Sequence, residues 1–373
     1  MSLVGRLRIR HGKLGEEKAL QDLTRQFPDA LPFVMLPQLT RSIERRALLV
    51  AEVDGNRIGF VHWNARRDGW FKLYDLVVDE DYHRMSVGRN LLYAVPTPVR
   101  LSCTVDNDRA NRFYVNAGMR FAGTEIGRKR TLNVWERNIL CEHVQGGNKS
   151  IPEAARMTGM SYGTRDSETP YDYPFAFDIR WRNYDWEDYM DKVCRYRPVQ
   201  AMVADYERPE QKAQMLDQIQ MLREYGEVLR IMVCPKFTGA VKDIPEDCLV
   251  AVSVPSKYAG FISETPQEYA GRKLHLLGGS PVQWLGQNGK QKNRSSTGYI
   301  LALQAYGARV VSVDGNAHQA ASLKGSYWVD GHWERPNTGK FVWGDAFNTL
   351  VFSGKQIVKG INRLNEVKQG VLF

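Results

Sequence analysis

Several features are missing from these 373 residues, and each absence closes off a class of protein. No apolar run reaches the roughly 18 residues that a membrane-spanning helix needs, so no membrane partner is expected. The opening Met1-Ser2-Leu3-Val4-Gly5-Arg6 lacks the apolar stretch of a secretory leader, and a cytoplasmic location is expected. Cysteine is scarce. Cys103, Cys141, Cys194, Cys234 and Cys248 are odd in number, scattered, and form no CxxC or Cys/His cluster. Neither a disulfide framework nor a thiolate zinc site is indicated, and no metal is expected. Internal repeats and low-complexity tails are absent as well.

What is present suits a soluble globular chain, with 43% hydrophobic and 25% charged residues. Single cores stop growing near roughly 250–300 residues, so this length predicts two domains. Net charge is +9, and up to residue 145 there are 23 Lys and Arg against 17 Asp and Glu. A surplus of this sign makes a polyanionic partner such as nucleic acid an expectation, because cations that neutralise phosphates release counterions.

Along the chain, Leu14–Phe27 and Gln38–Arg46 carry helical periodicity. Ala47–Val53 and Arg57–Trp63 flank Asp54-Gly55-Asn56, a hairpin signal. Strands follow at Phe71–Val78 and Val99–Val105, a helix at Arg109–Asn116, and a last strand pair at Met119–Ile126 and Thr131–Asn138. The apolar pattern breaks near Gly146-Gly147-Asn148-Lys149, which places a linker at 143–165 between domains 1–142 and 166–373. Beyond it, strand-like runs such as Gln200–Asp205, Val228–Cys234 and Lys273–Gly278 alternate with helical ones such as Trp186–Tyr196 and Glu210–Tyr225. That alternation predicts parallel strands with crossover helices, and their number suits a (β/α)8 barrel. The expected fold class is α/β, a mixed sheet followed by a barrel, with Gln287–Thr297 as an exposed loop.

The segment Leu73-Tyr74-Asp75-Leu76-Val77-Val78 runs through His83, Arg84, Ser86, Val87, Gly88 and Arg89 into a helix. Free backbone N–H groups at such a turn suit a pyrophosphate. Further on stands Asn107-Asp108-Arg109-Ala110-Asn111-Arg112-Phe113-Tyr114-Val115-Asn116-Ala117-Gly118-Met119, in which Asn107 caps a helix and Gly118 ends it. Together these segments resemble the GNAT acyltransferases. The first keeps only Gly88 of the family's loop pattern, with His83 and Ser86 at its other positions; the second departs only at Met119. The resemblance implies a GNAT mixed sheet that binds acetyl-CoA or another acyl-CoA. Main-chain groups of Leu76 and Val78 would hold the pantetheine arm, and Arg84, Val87, Gly88 and Arg89 would face the pyrophosphate. Tyr114 would be the general acid for the departing thiolate. The general base is unmarked, with Asp75 and Glu80 as candidates acting through water.

In a barrel, chemistry gathers at the carboxyl ends of strands. Asp178, Asp205 and Asp314 each end a strand-like run, although such aspartates also commonly serve as turn formers. Leu274-His275-Leu276-Leu277-Gly278-Gly279-Ser280-Pro281 followed by Val311-Ser312-Val313-Asp314-Gly315-Asn316 is similar to the tRNA-guanine transglycosylases. By that resemblance Asp314 is the nucleophile on the sugar, Asp178 the acid/base and Asp205 the reader of the base edge. Gly278 and Gly279 would leave room for the heterocycle, Tyr206 or Trp181 would stack on it, and Asn316 would contact it. Ile179-Arg180-Trp181 stands where that family has Ser-Gly-Gly, and its Cys/His zinc site is missing. Both departures point to a divergent branch of the phage DNA-modifying type, with DNA preferred to tRNA as partner and a modified purine such as a 7-deazaguanine as the base.

Other residues carry weaker signals. Lys236 and Lys257 follow strands and could meet phosphates, and Trp328, Trp333 and Trp343 could stack bases or fill a core. His318 reads as a turn histidine. Three functions remain in view: a bifunctional nucleic-acid base-modifying enzyme, a plain N-acyltransferase of a small molecule or protein with a non-catalytic second domain, and a nucleic-acid-binding module without catalysis.

Overall fold

The computed structural model describes residues 3–31, 34–128, 130–144, 148–180, 183–255, 265–286, 298–335 and 345–364. Trp181, Lys257, Trp343 and the loop 287–297 lie outside the described residues.

The first domain is a seven-stranded mixed sheet. Strand β1 (Leu7–His11) leads through helices α1 (Glu17–Thr24) and α2 (Leu36–Glu44) to strands β2 (Leu48–Val53), β3 (Asn56–Ala65) and β4 (Phe71–Val78). Asp54 and Gly55 both take positive φ between β2 and β3, the backbone that a tight two-residue hairpin demands. Helix α3 (Val87–Ala94), strand β5 (Val99–Thr104), helix α4 (Asp108–Asn116) and strands β6 (Arg120–Ile126) and β7 (Thr131–Arg137) complete the domain. The spatial order is β1-β2-β3-β4-β5-β7-β6. Only β4 and β5 run parallel, and they pair only at Phe71 with Val99 and Lys72 with Arg100. The two strands then part, which opens a cleft in the middle of the sheet.

The second domain is a closed barrel of eight parallel strands. They are β8 (Leu140–Val144), β9 (Ser161–Arg165), β10 (Ala176–Asp178), β11 (Gln200–Met202), β12 (Arg230–Val233), β13 (Leu249–Ser253), β14 (Lys273–Leu277) and β15 (Arg309–Asp314). Helix α5 (Ser150–Thr158) crosses from β8 to β9, α6 (Trp186–Tyr196) from β10 to β11, and α7 (Lys212–Glu224) from β11 to β12. Helices α8 (Pro281–Leu285) and α9 (Tyr299–Ala305) lie between β14 and β15. After β15 come α10 (Ala317–Ser322), the hairpin β16 (Tyr327–Val329) and β17 (His332–Glu334), and α11 (Ala346–Arg363), which packs on α5.

The barrel corrects the division of the chain. Residues 143–165, expected as a linker, hold the end of β8, helix α5 and strand β9, and β15 closes the ring on β8. The break in the apolar pattern belongs to a crossover helix, and only Asn138-Ile139 separates β7 from β8. The two domains are correspondingly close. Arg309 and Arg230, the first residues of β15 and β12, donate to the carbonyls of Thr97 at 2.9 Å and Val95 at 3.0 Å. A Cβ built on Gly159 would lie 2.5 Å from the Cα of Gly118, so the two backbones touch where α4 meets α5. The first domain therefore covers the amino end of the barrel and leaves the carboxyl end open.

Candidate functional site

The cleft between β4 and β5 is lined by Asp75, Cys103 and Tyr114. Tyr114 is buried, with its ring 6.2 Å from that of Trp135. Burial pushes its hydroxyl well above the usual phenol range, and the charges of Cys103 and Asp75 add to this, so both groups lie near it. Burial likewise pushes the Cys103 thiol up to about 11. Strand β4 carries an extra residue, Tyr74, between the pairs His62–Asp75 and Trp63–Leu73. This bulge turns Asp75 toward His62, a fully buried β3 side chain whose Nε2–H donates to Asp75 Oδ2 at 2.6 Å. Ser42 Oγ donates to the other ring nitrogen at 3.3 Å, and Tyr74 stacks on the ring. Asp75 is thereby a braced carboxylate in the cleft, whereas Glu80 sits in an exposed turn.

The loop before α3 has the backbone of an anion cradle. Arg84 and Ser86 both adopt left-handed φ, +64° and +63°. Left-handed residues in such a loop, followed by the free N–H groups of Val87, Gly88 and Arg89 in the first helical turn, form a concavity suited to phosphate. Ser86 thus keeps the conformation that glycine holds in the family pattern. The Arg89 side chain does not point that way: its Nε and Nη1 are buried, and its charge acts on Tyr93 inside the domain. At the edge of β4, the Val78 carbonyl already accepts a bond from His83 Nε2 at 2.7 Å, and His83 packs against Phe27. Asn107 accepts from the Ala110 N–H at 3.0 Å and caps α4, and Gly118 follows the helix with φ +73°.

At the carboxyl end of the barrel the three aspartates meet. Asp178 ends β10, Asp205 follows β11, and Asp314 ends β15. Burial pushes the Asp178 carboxyl up to about 7, and the charges of Asp314 and Asp205 push in the same direction, against Arg165 and His275. Asp314 is held through one oxygen: Oδ1 accepts from the Gly278 N–H at 2.5 Å and lies 3.5 Å from His275 Nε2. His275 Nδ1 is hydrogen-bonded to Ser312 Oγ at 2.7 Å and stands 3.8 Å from Glu142. Burial alone would lower the His275 pKa, but Asp314 and Glu142 outweigh it and hold the imidazole above its ordinary value. Glu142 accepts from Gln200 at 2.8 Å; burial and the charge of Asp314 raise its carboxyl against the pull of His275. On the opposite wall, Lys236 donates to Ser253 Oγ at 2.8 Å and lies 3.4 Å from Asp205. Barrel interiors are commonly filled by branched apolar layers, so this polar lumen is a built feature.

Several expectations need correction. Tyr206 is 1% exposed, its ring packs on Phe237 and its hydroxyl donates to Asp243, so it offers no stacking surface. Gly279 leaves no room for a ligand: a Cβ there would lie 2.8 Å from Val254 and 3.0 Å from Trp284. Gly278, at φ +73° with open space beside it, is the glycine that faces the mouth. Asn316 begins α10 next to Asp314. His318 is a buried helix residue packed on His143, and Trp328 is core beneath β17. Glu142, Gln200 and His275 went unmarked, although each is a lone polar residue inside an apolar parallel strand, the one available signal.

Comparison with known proteins agrees with this division. The model of the Acetyltransferase (GNAT) family matches residues 17–119. A family of unknown function (DUF6610) matches residues 155–353, more than half of the chain. A search of curated proteins found no match. Among solved structures, Ard1 from Thermoplasma volcanium is 19% identical with a TM-score of 0.33, over 36% of this chain and 99% of its own. Arabidopsis thaliana Naa50 in complex with a bisubstrate analogue is 16% identical with a TM-score of 0.31, over 36% of this chain and 99% of its own. The ribosomal-protein-S18-alanine N-acetyltransferase from Escherichia coli is 16% identical with a TM-score of 0.30, over 38% of this chain and 97% of its own. The chain carries a GNAT-type domain at its amino end and belongs, through its barrel, to the family of unknown function (DUF6610).

Proposed function

We propose that the chain is a bifunctional nucleic-acid base-modifying enzyme, acting on DNA, that pairs N-acyl transfer in the first domain with exchange of guanine for a 7-deazaguanine in the barrel. The observation that carries the reading is the meeting of Asp178, Asp205 and Asp314 at the barrel's open end, with Asp314 clamped by Gly278 and His275. In the exchange, an Asp314 oxygen attacks the sugar's anomeric carbon as the bond to the purine nitrogen breaks. Protonated Asp178 delivers a proton to the departing base, a role that a carboxyl pushed up to about 7 fits near neutrality. The incoming base returns that proton to Asp178 as its nitrogen displaces Asp314 from the sugar. Asp205 accepts from N–H groups of the base edge, with Lys236 beside it.

In the first domain, acyl-CoA supplies the activated acyl group when bound. The left-handed loop at Arg84–Ser86 and the first turn of α3 fit its pyrophosphate. Asp75, braced by His62, accepts the proton of the attacking amine, and the Tyr114 hydroxyl gives one to the departing sulfur. A 7-aminomethyl-7-deazaguanine carries a suitable primary amine, so one product could feed the other site.

The test is mass spectrometry of nucleosides from DNA and tRNA of cells that express the chain and are supplied with deazapurine precursors, beside Asp314→Asn. A new guanine-derived nucleoside that disappears in the variant supports the exchange, and its added mass identifies the acyl group. An unchanged profile in both polymers overturns it. The second reading, a plain N-acyltransferase, is favoured by the match of residues 17–119 alone and would then stand.

A further inference from the structure

A cavity of about 700 Å³ lies between the outer edge of the first domain's sheet and the amino end of the barrel. It is separate from both sites above, since β1 is the sheet edge remote from the β4–β5 cleft and the barrel mouth is at the other end. Five cations and three carboxylates line it, a surplus of two positive charges. Several of these charges are already matched: Arg8 pairs with Glu227, Arg10 with Glu16 and Glu52, and Arg223 with Asp247. Lys13 and Arg46 are the remainder; neither side chain has an ion-pair partner among the described residues. Arg46 is held with φ +55°, a strained backbone for a residue with no evident packing duty.

Beside them stands His11. Burial, and then the charge of Arg46, lower its pKa to about 4, so the imidazole is neutral. Its Nδ1 is buried without a partner, while the ring also contacts the Leu48 backbone. A cavity of this size suits a small organic ligand. Two free cations call for a dianion, and a neutral ring nitrogen with an open lone pair calls for a hydroxyl or N–H donor. Val228, Leu229 and Ile231 supply an apolar wall.

We propose that this interdomain cavity binds a small phosphate ester, with the phosphate on Lys13 and Arg46 and a hydroxyl of its sugar-like body on His11 Nδ1. The ligand would bridge the two domains.

Isothermal titration of the full chain with ribose 5-phosphate and with inorganic phosphate, in the presence of excess coenzyme A to fill the α3 loop, tests this. Ribose 5-phosphate should bind, and more tightly than phosphate, because only the ester offers hydroxyls. Lys13→Gln and Arg46→Asn should each weaken it about tenfold, the scale of one charge-assisted hydrogen bond. Asparagine tolerates the left-handed backbone, and both positions are exposed, so the variants should fold. No heat with either compound overturns the proposal, as does binding indifferent to both variants. Binding abolished by coenzyme A, or heat only with a DNA duplex, overturns it as well, since the anion would then sit on the α3 loop or the surface.

Discussion

The two domains build their sites from different materials. In the first, the coenzyme cradle is backbone: parted strands, two left-handed residues and a helix start, with His83 and Ser86 tolerated where the family pattern has other types. In the second, the site is side chains: carboxylates, an imidazole and an amine drawn from β8, β10, β14 and β15 and from the turns after β11 and β12. A backbone site survives substitution, because main-chain N–H groups do not depend on residue type. A side-chain site does not. The domains also face apart, with the first covering the barrel's amino end, so the two chemistries should be separable by mutation.

The sharpest break should come from Asp314→Asn. If the carboxylate is the nucleophile, base exchange should fall by roughly 10³-fold or more, as when a nucleophile is removed from a unit that acts together. Acyl transfer to a model amine should stay at the unsubstituted rate. Equal loss in both assays would mean the substitution unfolds the chain. The converse is Tyr114→Phe, expected to slow acyl transfer about 100-fold, the lower end for a general acid. Coenzyme affinity and base exchange should be unchanged. Unaltered acyl transfer would make Tyr114 a core aromatic, which its burial against Trp135 also permits.

The same contrast governs what the sequence made legible. The first domain's hairpin, its helix cap at Asn107 and its glycine stop at Gly118 are local, and local rules found them. The barrel was legible as alternation, but β8 and β9 were not. The first follows β7 after two residues and reads as its continuation, while the second sits behind a helix that looks like a connector. Ring closure is a long-range fact: β15 pairs with β8 across the whole barrel. The three strand-end aspartates could be picked out one by one, yet their meeting is a consequence of that closure. His275 and Glu142 were hidden for a related reason. A polar residue inside an apolar strand reads as a blemish until the fold shows which partners it faces.

A smaller effect distinguishes a working mouth from a merely polar one. Asp178 titrates near 7 in the folded chain against an ordinary 3.8. A raised carboxyl contributes fully below the unfolded value, and that contribution is lost as pH rises through the folded value. Asp178→Asn should therefore gain stability relative to the unsubstituted chain between about pH 4 and pH 7, then hold level. The solvent that reaches Asp178 screens the effect, so a gain of ~2–4 °C in Tm at pH 8 over that at pH 4 is expected. A Tm difference that does not change with pH would mean the carboxyl titrates normally and is no acid at neutrality.

The smallest predicted effect tests the backbone claim itself. Ser86 sits at φ +63° at the start of α3, where a side chain costs about 1 kcal/mol. Ser86→Gly removes that strain but loosens the unfolded chain by ~0.4–1 kcal/mol, so stability should change by less than about 0.5 kcal/mol. Coenzyme A affinity is the informative measurement. If the cradle is main chain and already preformed, glycine there should leave the Kd within about threefold. A gain of tenfold or more would mean the Ser86 side chain obstructs the phosphate, and the loop would then be a weakened relic rather than a tolerant cradle. His83→Gln, measured alongside, separates the loop from the strand edge: it frees the Val78 carbonyl, and tighter binding in that variant alone would assign any obstruction to His83.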